Sequence, residues 1–218
     1  MLTASLDLAM LKAVDLAAST EETRYYLNGV FLEITPRRVI YVATNGHVLL
    51  AGCRDVKKDE PSHTLVGEFI IPSPVIAKLK LPKKIPNPVG ELSAAAVTTP
   101  GKQRLTLGFM GEEIGFAPID GSFPDWRRVV PASSAMPEKE NLDAFDYNPD
   151  YLKLLDKAGA LLNLGRARVM PRGGCPALAH YAEQDLVGVI MPMRAADYRG
   201  STRPAWVDAP RAVQSDAA

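Results

Sequence analysis

The chain is poor in the residues that build disulfide frameworks and catalytic centres. Its only cysteines, Cys53 and Cys175, stand far apart in 218 residues. That spacing implies no disulfide framework and fits a reducing, cytoplasmic setting. Its only histidines are His47, His63 and His180. No carboxylate stands at an obvious triad or metal-ligand spacing from them, so no metal, no cofactor and no enzymatic activity are expected. Net charge is also missing: 25 Lys and Arg offset 25 Asp and Glu. Without a global positive field, any contact with DNA has to rest on a local basic surface. No apolar stretch is long enough to span a bilayer, and Met1-Leu2-Thr3 lacks a basic region followed by an apolar run. Neither a membrane span nor a signal peptide is read. What remains, 47% hydrophobic and 23% charged residues, is the composition of an ordinary globular protein with one large or two small domains.

Periodicity gives a repeating order of elements. Residues 5–18 carry Leu6, Met10, Ala13, Val14 and Ala17 at helical spacing, with Ser5 as N-cap. Residues 24–33 are rich in aromatic and branched side chains and read as a strand with a bulge or bend at Asn28-Gly29. Strands follow over residues 39–43 and 47–51, joined by a turn at Asn45-Gly46. Residues 59–65 are a polar connector. A short strand over 68–71 leads to a helix over 74–81, capped by Ser73 with Pro74 at its first position. Three strands follow near 92–98, 103–110 and 113–118. Residues 132–141 read as a linker and 142–147 as a strand. Asn148-Pro149 repeats the cap-then-proline start, for a helix to about residue 162. Strands then fall near 167–170, 177–182 and 186–191, and 195–218 reads as an irregular tail. A strand, a helix and three strands thus recur near 61–131 and 140–194. A similar unit near 1–60 has lost most of its first strand.

Three short stretches couple apolar side chains to a turn former or a cation: Thr44 to Leu49, Phe123 to Pro131, and Val189 to Arg194. Taken singly, each has a bland reading. His47 is a turn histidine, Met191-Pro192-Met193 a strand end, and Arg127-Arg128 a solvated or salt-bridged face. Together they suggest a groove for short peptides.

Four motifs stand in this order: RYYLNGVFLE, VATNGHVLLAG, FPDWRRVVP and VIMPMR. About 20 residues separate Tyr25 from His47, and about 80 separate His47 from Arg127. In order and spacing they resemble the bacterial sliding clamp, the beta subunit of the replicative DNA polymerase III. The resemblance spans roughly residues 3–194. Residues 1–131 look like the middle domain of that family, slightly trimmed at the start. Residues 142–194, after the linker, look like the second half of its last domain, and the first domain is absent. Met1 opens the chain almost directly at a helix, which argues against a fragment cut at random.

The resemblance implies an α+β DNA-clamp fold, with antiparallel sheets outside and helices on the inner side. It implies a non-enzymatic processivity factor that encircles duplex DNA and holds polymerase or repair proteins by short linear motifs. The partner-peptide groove would be walled by Leu27, Thr44, Gly46, His47, Val48, Leu49, Pro124, Arg128, Val129, Val189, Met191, Pro192, Met193 and Arg194. Met191 and Met193 would suit several partners. Two departures stand out: Val48 where a basic residue is common, and Trp126 where a tyrosine is usual. The DNA-facing residues would be Arg24, Tyr25, Tyr26, Lys78, Lys80, Lys83, Lys84, Lys153 and Lys157, although such lysines are more often a solvated helix face. Binding to DNA would be sequence-independent and salt-dependent. Family rings contain twelve helix-plus-sheet units, so chains of three units would pair as dimers or close as a four-chain ring. The alternative is a clamp-like peptide-binding adaptor or decoy that does not encircle DNA.

Overall fold

The computed structural model describes residues 1–82, 88–95, 103–131, 146–172 and 174–193. The chain opens as a strand, β1 (Leu2–Asp7), and only then enters α1 (Leu8–Asp15). The helix expected from residue 5 therefore starts later, and Ser5 is not its cap. Leu2, Ala4 and Leu6 alternate with polar residues, a two-residue period that fits a half-buried strand. Asp7 is the N-cap, its Oδ1 accepting from the Met10 N–H at 2.9 Å. β1 pairs along its whole length with β6 (Val89–Ala94), from Leu2 opposite Ala94 to Asp7 opposite Val89. The first unit has thus kept its first strand.

Residues 24–33 divide in two. A 3-10 turn occupies Glu22–Leu27, and β2 (Gly29–Thr35) follows. Asn28 closes the turn, its Nδ2 donating to the Glu21 carbonyl at 3.1 Å. Gly29 is a packing requirement rather than a bend: a Cβ there would sit 2.2 Å from the Ile71 carbonyl oxygen. β3 (Arg38–Thr44) and β4 (Val48–Asp55) complete the first unit.

The second unit runs β5 (Gly67–Pro72), α2 (Ser73–Lys78), β6, β7 (Leu105–Phe109) and β8 (Glu112–Phe116). α2 stops short of residue 81, and Pro72 rather than Ser73 occupies its cap position. Ser73 serves another purpose: its Oγ donates to Asp15 Oδ1 at 2.6 Å, tying α2 to α1. Burial raises the Asp15 carboxyl above its usual range, and that hydrogen bond opposes the shift.

The third unit contributes α3 (Pro149–Leu161), β9 (Arg168–Arg172), β10 (Cys175–His180) and β11 (Leu186–Ile190). α3 begins as expected, with Asn148 Oδ1 accepting from the Asp150 N–H at 2.9 Å. Of the strand expected over 142–147, only its last two residues are described. Asp146 makes a single bridge with Met193. The linker and the tail lie outside the described residues.

The units exchange strands. β1 of the first pairs with β6 of the second, and β5 of the second pairs with β2 of the first. Among the described residues the result is a four-stranded sheet, β1-β6-β7-β8, and a seven-stranded one, β5-β2-β3-β4-β11-β10-β9. The outer side of β1 is closed by the Thr64 and Leu65 N–H groups, which donate to the Thr3 carbonyl at 2.9 and 2.8 Å. α1 packs on β2, β3 and β4, with α2 and α3 beside it. Between helices and sheets lies the main core, including Leu6, Leu11, Leu32, Tyr41, Leu50 and Ile71. A second cluster, Phe31, Val42, Leu49, Ala51, Ile70 and Val189, covers the other face of the larger sheet. Burial on both faces explains why β4 begins Val48-Leu49-Leu50-Ala51 without alternation. No helix among the described residues is long and apolar enough to cross a membrane.

The boundary between β1 and α1 is directly testable. Asp7→Ala removes the cap and is expected to cost about 1 kcal/mol of stability. Ser5→Ala, at the cap position expected from periodicity, should stay within about 0.5 kcal/mol. Urea unfolding of the two variants checks both values.

Candidate functional site

The site begins at the tight turn between β3 and β4. Thr44 Oγ1 donates to the Val48 carbonyl at 2.8 Å and accepts from the Gly46 N–H at 3.0 Å. Asn45 Oδ1 accepts from the N–H groups of His47 and Val48 at 2.9 and 3.0 Å. Side chains thus supply the bonds that a short turn leaves unmade. Gly46 has φ 91°, in the left-handed region where a side chain is strained. A Cβ there would also lie 2.7 Å from Arg24 Nη1.

The turn fastens the other segments. The Met191 N–H donates to the His47 carbonyl at 2.9 Å, so the chain leaving β11 runs against it. The His47 ring lies parallel to Tyr151 of α3, with centroids 6.1 Å apart. From the other side comes a 3-10 turn, Trp126–Val129, that follows Pro124 and Asp125. Arg127 lies over the Trp126 ring, 4.5 Å from its centroid, and Arg127 Nη2 donates to Glu33 Oε2 at 2.8 Å. The salt-bridged reading of Arg127 therefore describes it.

A cavity of about 260 Å3 opens between these segments. Leu27, Thr44, Gly46, His47, Val48, Leu49, Pro124, Val129, Val189 and Met191 line it, with Arg24, Tyr26, Asp125 and Trp126. Leu27, Val48, Leu49 and Val189 are buried, while Val129 is 44% and Met191 40% exposed. The floor is therefore fixed by packing and the rim is free to adapt.

Four residues assigned to the groove from the sequence stand apart. Arg128 is outside the cavity, 83% exposed, with its Nε 3.8 Å from an Asp125 carboxylate oxygen. Pro192 and Met193 lie just past Met191, and neither lines the cavity. The Met193 N–H donates to the Asp146 carbonyl. Arg194 lies outside the described residues.

The described residues expected to face DNA lie on the 3-10 turn before β2, on α2 and the residues just after it, and on α3. Arg24 and Tyr26 line the cavity. Arg24 makes a two-pronged salt bridge with Glu21. This bridge holds the Glu21 carboxyl below its usual range and the Arg24 guanidinium above its own. Tyr25 is exposed and packs edge-on against Tyr26. Lys78 and Lys80 are exposed beside a separate hollow between α2 and the β7–β8 hairpin. Lys153 and Lys157 are exposed on α3, Lys153 within 3.2 Å of Asp150. Lys83 and Lys84 lie outside the described residues. Asp125 and Trp126 were not among the expected groove residues. Both stand inside the FPDWRRVVP motif, so the signal was present.

The family described as DNA polymerase III beta subunit, central domain, matches residues 5–125. The chain belongs to this family. The beta sliding clamp of Caulobacter vibrioides is 32% identical over 123 residues, which are 55% of this chain and 31% of the relative. That of Pseudomonas putida is 31% identical over 125 residues, 56% of this chain and 31% of the relative. The chain thus spans about a third of the length of the curated relatives it matches. A crystal structure of a DnaN sliding clamp from Bartonella birtlesii, bound to griselimycin, superposes with a TM-score of 0.65 at 21% identity. That superposition covers 89% of this chain and 66% of the other. It extends the likeness of fold beyond the central-domain match, and the fold is the α+β fold of DNA clamps.

Gly46→Ala tests the turn that organises the site. The positive φ alone is expected to cost about 1–2 kcal/mol, with a further loss from displacing Arg24. Thermal unfolding should show the lowered stability, and the fluorescence of Trp126 should change as the groove wall shifts.

Proposed function

We propose that this chain is a clamp-like DNA replication factor. It binds short linear motifs of polymerase or repair proteins in the groove and assembles with further copies around duplex DNA. One observation carries the reading: segments from three distant parts of the sequence converge on an apolar cavity with a buried floor and a pliable rim. An extended peptide gains most from such a surface, because the floor needs no reordering and Met191 adjusts to different side chains. Such a role is that of a binding protein and not of an enzyme, and it places the chain in the cytoplasm with the replication machinery. Residues 1–131 serve as the clamp's middle domain and 142–194 as half of its last one.

The groove is tested by titrating the whole chain with a Gln-Leu-x-Leu-Phe peptide. A Kd on the order of micromolar is expected, weakened about tenfold or more by Val129→Ala with Met191→Ala. Both side chains are on the exposed rim, so the fold should survive. Absence of binding at millimolar peptide would refute the groove.

A second reading, an adaptor or decoy that holds partners without encircling DNA, is favoured by the charge of the helical layer. Among the described residues its helices carry Lys12, Lys78, Lys153 and Lys157 against Asp15, Asp150 and Asp156. This near balance is weak attraction for a polyanion. Light scattering and retention on nicked circular DNA separate the readings. Dimers or four-chain rings that stay on circular DNA and slide off linear DNA support the clamp. A species of any size that never retains circular DNA supports the adaptor.

A further inference from the structure

A larger hollow, of about 380 Å3, lies next to the groove on the same outer face of the seven-stranded sheet. Its apolar lining includes Phe31, Ile70, Ile119 and Phe123, with the Phe31 and Phe123 rings stacked at 4.9 Å. The Ile119 N–H donates to the Ile70 carbonyl at 2.9 Å, so the segment after β8 runs along the β5 edge and forms the far wall. Phe123 lines this hollow, and the next residue, Pro124, lines the groove. Neighbouring Cα atoms are about 3.8 Å apart, so the two sites share a wall.

The charged part of the lining is acidic, and the neutral Gln103 and Ser122 complete its polar side chains. Glu68 and Asp120 border the hollow, and no Lys or Arg among the described residues lines it. Neither carboxylate has a salt-bridge partner among the described residues. Glu68 also stands directly opposite Glu33 in the β2–β5 ladder. Like charges in that position are unfavourable. Arg127 neutralises Glu33, while Glu68 pairs with no cation among the described residues. An apolar floor beside two carboxylates that have no cation among the described residues matches a side chain with a long apolar stem and a cationic head.

We propose that this hollow takes an arginine or lysine side chain of a partner peptide, placed a few residues from the apolar motif that fills the groove. The inference rests on the groove reading and extends it to partner choice. The stem packs on Phe31 and Ile119, and the head lies between Glu68 and Asp120. A few residues of extended chain, at about 3.3 Å each, bridge the shared wall. Partners with a basic residue on the correct flank are thereby favoured over partners with the same motif and a neutral or acidic flank.

The test uses the whole chain at low salt and three peptides. One is the bare Gln-Leu-x-Leu-Phe motif, one carries Arg-Arg a few residues before it, and one carries Arg-Arg a few residues after it. One flanked peptide is expected to bind about three- to fivefold tighter than the bare motif. That gain should vanish in the double variant Glu68→Gln with Asp120→Asn, and in high salt. It should persist in Glu112→Gln with Glu113→Gln, a control that removes two carboxylates from β8. Equal affinity for all three peptides overturns the proposal and leaves the groove standing. So does a gain that survives the Glu68 and Asp120 changes or is lost in the β8 control. Failure of the bare motif itself to bind overturns the groove reading, and the proposal falls with it.

Discussion

The pairing of β11 with β4 is the contact on which the remainder of the site depends. Leu186 to Ile190 lie antiparallel to Gly52 to Val48, one residue opposite another without a break. This register makes one sheet from units that are more than a hundred residues apart in sequence. It also fixes where β11 ends. Ile190 stands opposite Val48, so the next residue, Met191, arrives beside His47 and bonds to its carbonyl. A slip of one residue would turn Val189 from the outer face to the helix side and remove it from the groove. The helices reinforce the register: Leu155 of α3 sits over Gly188, where a Cβ would lie 2.6 Å from Leu155 Cδ2. Only a glycine lets the helix come that close to β11.

The same constraint accounts for the layered character of the groove. Val48 belongs to the main core beneath the helices, while Leu49 and Val189 belong to the outer cluster. All three line the cavity. The groove thus sits at the end of a strand, where both faces of the sheet contribute. Val48 is buried and part of the core, whereas an unpaired cation buried at that point would be expensive.

How much of this was legible in the sequence depends on the range of the deciding interactions. α3 was readable because Asn148 and Pro149 encode its start within one turn. β3 and β4 were readable from their branched and apolar runs. β1 was not, because the helical spacing from Leu6 to Ala17 overlaps the alternation of Leu2, Ala4 and Leu6, and pairing with β6 decides between them. The 3-10 turn at Glu22–Leu27 was hidden behind strand-like Tyr25 and Tyr26. Its cause is a set of local polar contacts, Arg24 with Glu21 and Asn28 with the Glu21 carbonyl. That turn carries Arg24 and Tyr26 to the groove. The joining of β11 to β4 left no local mark at all, since no short-range pattern specifies which distant strand an edge accepts.

The division between floor and rim has a consequence for how such a site can change. Val48, Leu49 and Val189 each hold the core together as well as line the cavity, so truncating any of them creates a void and costs stability. Val129, Met191 and Pro124 carry no such double duty. The stacking of Arg127 on Trp126, anchored by Glu33, holds the 3-10 turn in place from outside the cavity. Rim residues can therefore be exchanged without disturbing the wall that positions them. On the proposed reading, partner preference would drift at the rim and along the acidic strip of Glu68 and Asp120, while the floor is held fixed by the demands of folding.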